Sequence, residues 1–298
     1  MDTSRKILRA YDGSTVTFKA LRAYGWNELL NLGYFQLRDL AMLLFGLGYF
    51  QKQLVRQSIK LVAPQPGENI VDVGCGYGWT SNQIANSGAQ VIGIDLLEKH
   101  IEKARQKFGH NPNVTYAVGD ATQMLSSATQ AALEEESLDK IHCLEAAFHF
   151  GHNGRRAFLA EAFSLLKRGG RLVLVDFMWR SNCPEEINEL DGERHVRRTW
   201  QFEQFEPLAD YRTIARECGF QEKQIIDWSP RVINPFQKIC NIITLLGQYR
   251  IPRFFLSMIR PGVFSMNSQE WRLLAEVLEA HERVSGSTYY VAMVLEKP

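Results

Sequence analysis

The residues whose types and spacing could do chemistry lie between Ile70 and His149. A short apolar run, Ile70, Val71 and Val73, leads into glycines at alternate positions, Gly74, Gly76 and Gly78, and a helix-compatible segment follows. Glycines in such a turn let bare backbone approach a ligand that any side chain would hold off. A second apolar run, Val91, Ile92 and Ile94, ends in Asp95. An acid at the tip of the second strand of a doubly wound sheet can bind ribose hydroxyls. Asp120 follows a third run in Val-Gly-Asp-Ala-Thr, and Glu145 a fourth in Leu-Glu-Ala-Ala-Phe-His-Phe. Strand ends of an open parallel sheet share one crevice, so the pattern describes a site for a ribose-containing cofactor.

The spacing narrows that cofactor. The dinucleotide fingerprint Gly-x-Gly-x-x-Gly requires a glycine at 79, where the chain has Trp79, and this leans away from a pyrophosphate ligand. Taken singly, Asp95 and Asp120 read more readily as helix caps or turn formers, and Gly78 equally well as a packing glycine. Three acids at successive strand ends beside a glycine turn favour the cofactor. Cys75 reads as a small neighbour of the ligand, since no basic residue adjoins it to activate a thiolate.

These loops need an alternating α/β frame to align them. A helix over Gln53–Leu61 stops at Pro64, Pro66 and Gly67; strands follow at 69–73, 91–94, 114–118 and 138–144, with helices at 80–87 and 98–107. A helix over Arg155–Leu166, closed by Gly169 and Gly170, precedes a fifth strand at Arg171–Phe177. The rhythm predicts a parallel sheet covered on both faces. Helix Leu208–Cys218, strand Phe220–Trp228, helix Gln269–Arg283 and strand Tyr289–Leu295 complete seven strands. Residues 1–60 read as a helical cap, and 61–298 as the main domain, with lid segments at 179–206 and 231–265. Within the second lid segment, Pro252 and Pro261 are expected to break apolar helical stretches. Leu40–Phe50 is the longest nearly uncharged apolar run; it falls short of the ~20 residues a membrane span needs and reads as a buried helix.

With these residues in view, the chain resembles the class I S-adenosylmethionine-dependent methyltransferases. Val71-Asp72-Val73-Gly74-Cys75-Gly76-Tyr77-Gly78 is similar to that family's cofactor loop, the Asp95 segment to its ribose acid, and Gly119-Asp120-Ala121 to its adenine contact. Leu165 to Asp176 is similar to its junction between helix and fifth strand. Asn31-Leu32-Gly33-Tyr34-Phe35 and Glu145-Ala146-Ala147-Phe148-His149 resemble its natural-product branch, which includes erythromycin-type sugar O-methyltransferases and, more distantly, tocopherol and sterol methyltransferases.

The resemblance implies a Rossmann-like, doubly wound sheet of seven strands, mostly parallel with the last antiparallel. It implies S-adenosylmethionine as methyl donor, with S-adenosylhomocysteine as product. Gly74, Cys75 and Gly76 would lie against the methionine part, Asp95 and Leu96 against the ribose and adenine edge, and Asp120 with Ala121 against the adenine amino group. Glu145 would sit near the methionine end, with a catalytic role, and Asp72 would help place the amino group through the loop or a water. Tyr34 and Gln53 would close over the cofactor from the cap.

A sulfonium methyl is already activated, so such a protein aligns nucleophile, carbon and sulfur, excludes water and takes up a proton. Orientation alone supplies up to roughly 7 to 11 kcal/mol in well-aligned systems. His149, at the mouth of the fourth strand, is the candidate base. Its competing reading is packing against Phe148 and Phe150. His152 is a second candidate, His142 reads as structural, and His195 has no motif behind it. Trp179, Trp200, Phe202, Phe205, Trp228, Phe236, Phe254 and Phe255 offer aromatic surface to a lipophilic or ring-bearing acceptor, although core is the commoner fate of any one of them. Arg194, Arg197 and Arg198 form a solvated helix face or, turned inward, grip an anionic acceptor.

Composition limits the alternatives. A formal net charge of +1 gives no global reason to expect nucleic acid, and no stable membrane insertion is expected. The five cysteines are spread out and contain no Cys-x-x-Cys pair, which points to reduced thiols in a cytoplasmic compartment and to no metal site. Met1–Lys6 carries no apolar core of a secretory signal. A homo-oligomer stays open. The expected function is O-methylation of a small, largely apolar metabolite. Carbon methylation of an isoprenoid, sterol or quinone-like acceptor is the alternative. A nicotinamide oxidoreductase, which Trp79 counts against, and a non-catalytic binding protein are the readings of other classes.

Overall fold

The computed structural model describes residues 15–26, 28–126, 131 and 133–298; Met1–Lys6 and the other calls on the first fourteen residues lie outside them. In chain order, helices α1 (Val16–Ala23) and α2 (Gly48–Val62) precede β1 (Asn69–Val73). There follow α3 (Trp79–Ala85), β2 (Gln90–Asp95), α4 (Glu98–Phe108), β3 (Val114–Val118), β4 (Leu138–Leu144), α5 (Gly151–Leu165) and β5 (Leu166–Trp179). Short helices α6 (Ile187–Leu190) and α7 (His195–Trp200) lead to α8 (Leu208–Glu217) and β6 (Gln221–Asp227). The chain ends with α9 (Ile233–Gln248), α10 (Arg250–Ile259), α11 (Ser268–Gly286) and β7 (Thr288–Glu296).

The strands form one seven-stranded sheet in the order β3-β2-β1-β4-β5-β7-β6. β1 pairs in parallel with β2 and β4, β2 with β3, and β4 with β5, whereas β7 runs antiparallel to β6. The central strands are apolar on both faces, with Ile70, Val71, Val73, Ile141 and Cys143 all buried, as helices on each side require. The order reverses between β1 and β4, and crevices outside the carboxyl ends of strands open at such a point.

Two compact units share the chain. One holds the described residues up to Leu54, Cys183–Gln204 and Trp228–Tyr289; the other holds Val55–Asn182, Phe205–Asp227 and Tyr290–Pro298, and with them the central strands. The first unit has an aromatic centre, in which Trp26 stacks on Phe18 and meets Trp200 and Phe236. Trp200 Nε1 donates to His281 Nε2 at 2.7 Å, which fixes that tautomer. Gly247 on α9 lies so close to the Trp271 ring of α11 that a Cβ there would overlap it.

Three expectations need correction. Leu40–Phe50 is not one buried helix: Leu37–Phe45 is a 3-10 segment without a single buried residue, ended by Gly46 at φ +98°, and only the end of the run, with Leu47 and Phe50, is buried, where α2 begins. The apolar run lacks a polar face to turn outward, and Leu40 and Leu44 face solvent. The helix expected to run to Leu166 stops at Leu165, because Leu166 already pairs with Leu138 and opens β5. Pro252 lies in the first turn of α10, where its missing N–H costs nothing, and the break comes at Tyr249. Among the described residues no helix is long and apolar enough to cross a membrane.

Candidate active site

The glycine turn leaves β1 with Gly74, Gly76 and Gly78 all at positive φ, +67°, +54° and +81°, a conformation that strains any other residue. A Cβ on Gly74 would overlap that of Ala146, so the loops after β1 and β4 touch at the switch point. Gly78 proves to be a packing glycine: a Cβ would come within 2.7 Å of the Tyr116 ring, whose hydroxyl donates to Gly78 O at 2.9 Å. The Cys75 thiol is buried, and burial, followed by the charges of Asp95 and Asp72, pushes its pKa well above the ordinary value. It is a thiol and not a nucleophile at neutral pH.

Asp95 ties the turn to the second strand. Gly76 N–H donates to its Oδ2 at 2.9 Å, Leu97 N–H to its Oδ1 at 2.9 Å, and His100 Nδ1 lies 3.2 Å from Oδ1. Oδ2, with a single N–H donor, keeps a lone pair toward which a hydroxyl can donate. Leu96 follows Asp95 half-buried. Asp120 Oδ1 takes the N–H and hydroxyl of Thr122 at 2.8 and 2.7 Å, an Asx turn, and its Oδ2 has no partner among the described residues. Ala121 beside it is buried.

Asp72 occupies a different place. Its carboxylate is buried under the turn, where it accepts from Ser81 Oγ at 2.6 Å and meets His142 Nδ1 at 2.7 Å; His142 Nε2 in turn lies 3.0 Å from Ser58 Oγ. This buried network braces β1 against α3 and β4. The Asp72 carboxylate is thus engaged within the network, and His142 is structural as its strand position suggests.

Glu145, the first residue past β4, holds φ +51°, a left-handed conformation uncommon outside glycine, and such strain gathers at functional sites. Tyr290 Oη donates to its Oε1 at 2.6 Å. Burial, followed by Glu145, pushes the Tyr290 pKa well above its ordinary value, so it stays a donor. A 3-10 turn, Ala147–His149, brings His149 half-exposed onto the Phe148 ring, 3.9 Å between centroids.

Two buried ionisable groups clamp that turn. Asp176 on β5 accepts from Phe148 N–H at 2.9 Å and from Phe177 N–H at 2.7 Å, while Arg155 donates to Phe148 O at 3.0 Å. Burial pushes the Asp176 pKa up to about 7, with the two N–H groups and Arg155 opposing. Arg155 also donates to Glu206 Oε2 at 3.0 Å, and Glu206 Oε1 holds His152 Nδ1 at 2.8 Å. Nothing local in the sequence marked Glu206 or Tyr290, and the segment ending at Asp176 did not disclose that residue's role, since the partners that fix these three roles are 28 to 145 residues away. Phe148, Phe177, Phe205 and Tyr290 form an aromatic wall beside Glu145, with Phe177 stacked on Phe205 and edge-on to Tyr290.

The second unit thus brings Gly74, Cys75, Gly76, Asp95, Leu96, Asp120, Ala121, Glu145 and His149 to the carboxyl edge of one sheet, while Tyr34 and Gln53 belong to the first unit. Tyr34 is edge-on to Trp228 there, 5.6 Å between centroids. The arginines do not point to an anion site: Arg194 pairs with Glu203, Arg197 is buried against Asp191 and Asn188, and Arg198 is exposed. Trp179, Phe202, Phe205 and Trp228 are buried, whereas Phe254 and Phe255 face solvent.

Residues 70–170 match a family described as "Methyltransferase domain". An O-methyltransferase of Pyrenophora dematioidea is 24% identical over 66% of this chain and 68% of its own length, and one of Penicillium expansum, cnsE, is 28% identical over 59% and 60%. A probable tocopherol O-methyltransferase of Oryza sativa is 24% identical over 74% of this chain and 61% of its own length. The chain therefore spans about two thirds or less of these three relatives. Among solved structures, a geranyl diphosphate methyltransferase in complex with GPP and sinefungin shares the fold at a TM-score of 0.71, with 16% identity, covering 100% of this chain and 99% of that one. Residues 70–170 thus form a methyltransferase domain, and the chain is similar beyond it to O-methyltransferases and shares its fold with solved methyltransferases. A second solved geranyl diphosphate methyltransferase, 15% identical with a TM-score of 0.65, is in complex with S-adenosylmethionine, the cofactor that the sequence resemblance implies.

Proposed function

We propose that this protein methylates an oxygen of a small, largely apolar, ring-bearing metabolite, with His149 as general base. The observation that carries the reading is the strained Glu145, held by Tyr290 at the mouth of β4 and followed within one turn by His149.

The residues at the sheet edge suit the cofactor. The turn from Gly74 to Gly78 contains no lysine or arginine to neutralise a phosphate, and its neighbours Asp95, Asp120 and Glu145 are acceptors, matched to hydroxyl, amino and ammonium donors. Asp95 and Leu96 would hold the ribose and adenine edge, Asp120 and Ala121 the adenine amino group, and Glu145 the methionine end beside Gly74, Cys75 and Gly76. Asp72 would act through the turn it braces. The bound cofactor supplies an activated sulfonium methyl group. A ring nitrogen of His149 takes the acceptor's hydroxyl proton, and Asp176 and Arg155 fix the turn that carries it. With Arg194 and Arg197 engaged by acids, a neutral lipophilic acceptor fits better than an anionic one. The five cysteines are free thiols, in keeping with a reducing, cytoplasmic compartment.

Carbon methylation is the second reading, favoured by the aromatic wall of Phe148, Phe177, Phe205 and Tyr290, which could stabilise a developing cation beside Glu145. Transfer of labelled methyl to a metabolite extract, with the product identified, tests both. A methyl ether supports O-methylation, a carbon-bound methyl the second reading, and no labelled product contradicts both.

A further inference from the structure

Helices α9 and α10 are turned inside out. Thr244, Gly247 and Ser257 face inward, while Ile242, Leu245, Tyr249, Ile251, Phe254, Phe255 and Met258 are 55 to 73% exposed. In a helix that borders water alone, the small polar residues would face outward and the large apolar ones inward. The 3-10 segment Leu37–Phe45 repeats the inversion, with Leu37, Leu40, Leu44 and Phe45 exposed. The two are joined: Arg260 Nη2, just past α10, donates to Leu44 O at 2.8 Å. Both lie in the first unit, where the Arg260–Leu44 contact makes them neighbours, and a face with this many large apolar side chains exposed marks an interaction surface.

Charge selects the occupant. From Trp228 to Gln269 the chain has no aspartate or glutamate, but carries Arg231, Lys238, Arg250, Arg253 and Arg260. The molecule is nearly neutral as a whole, so this imbalance is local. On α9 and α10 the large apolar side chains are flanked by cations alone, while Arg38 and Asp39 of the 3-10 segment offset each other. Such a face matches a surface with acyl chains below and phosphates around them, and arginine can extend its head to the phosphates while its stem stays apolar. With no helix among the described residues fit to cross a bilayer, the apolar side chains can only dip into its surface. We infer that this face binds the surface of an anionic phospholipid bilayer, α10 and the Leu37–Phe45 segment inserting side by side. The inference is independent of the acceptor's identity.

Sedimentation with vesicles tests it, using phosphatidylcholine alone and phosphatidylcholine mixed with phosphatidylglycerol. The wild-type chain is expected to bind the mixed vesicles at least about tenfold more tightly, since each basic side chain near an anionic leaflet adds roughly fivefold, and high salt should release it. Ile251→Glu with Met258→Glu, and separately Leu37→Glu with Phe45→Glu, are expected to abolish binding while the thermal midpoint holds. No vesicle binding by the wild type, or binding that survives both pairs of substitutions, would overturn the inference. So would self-association in sedimentation velocity that the same substitutions abolish without any vesicle binding, which would assign the face to a second copy of the chain.

Discussion

Tyr290 Oη donates a 2.6 Å hydrogen bond to Glu145 Oε1, across 145 residues of sequence, and holds the carboxylate of a residue whose own backbone is left-handed. The last strand thereby positions an acid at the mouth of the fourth. Tyr290→Phe removes that donor from a buried site. We expect a stability loss of about 1–3 kcal/mol, read from chemical denaturation, and a weaker titration with S-adenosylhomocysteine. Unchanged cofactor affinity would take Glu145 out of the cofactor site.

Asp95→Ala removes the acceptor for Gly76 N–H and Leu97 N–H together. Cofactor affinity should fall, and Asp95→Asn, which retains one acceptor oxygen, should fall less. Equal affinity in all three proteins by calorimetry would contradict the ribose role.

His149→Ala is expected to lower turnover by roughly 10² to 10⁴ while cofactor affinity stays at the wild-type value. His152→Ala is the comparison, because Glu206 orients that imidazole. A near-normal rate in His149→Ala with a collapsed rate in His152→Ala would move the base three residues along the chain.

Asp176 titrates in the folded protein near 7, against an ordinary 3.8. A carboxyl whose folded pKa is raised holds more protons in the native than in the unfolded state between those values, so its contribution to stability declines as pH rises from 3.8 to about 7. The slope reaches about 1.4 kcal/mol per pH unit for one proton. Denaturation followed across this range should show the decline in the wild type and its loss in Asp176→Asn.

The parts of the site legible in the sequence were those encoded locally. Gly74 and Asp95 stand at strand ends that apolar runs announce, and the runs paired as their order suggests. Contacts that close only on folding were invisible: Tyr290 with Glu145, Arg155 with Glu206, and Asp176 with the Phe148 N–H have no spacing signature. The run Leu40–Phe50 departs from expectation for another reason. Apolar composition favours burial, yet burial depends on what the fold sets against a segment, and here Leu37, Leu40, Leu44 and Phe45 stay exposed.

The most direct measurement is a calorimetric titration of the whole chain with S-adenosylhomocysteine and, separately, with NADH. Saturable one-to-one binding of S-adenosylhomocysteine and none of NADH is the expected result. Binding of NADH without S-adenosylhomocysteine would contradict the assignment of the crevice outside Gly74, Asp95 and Asp120 to a sulfonium cofactor.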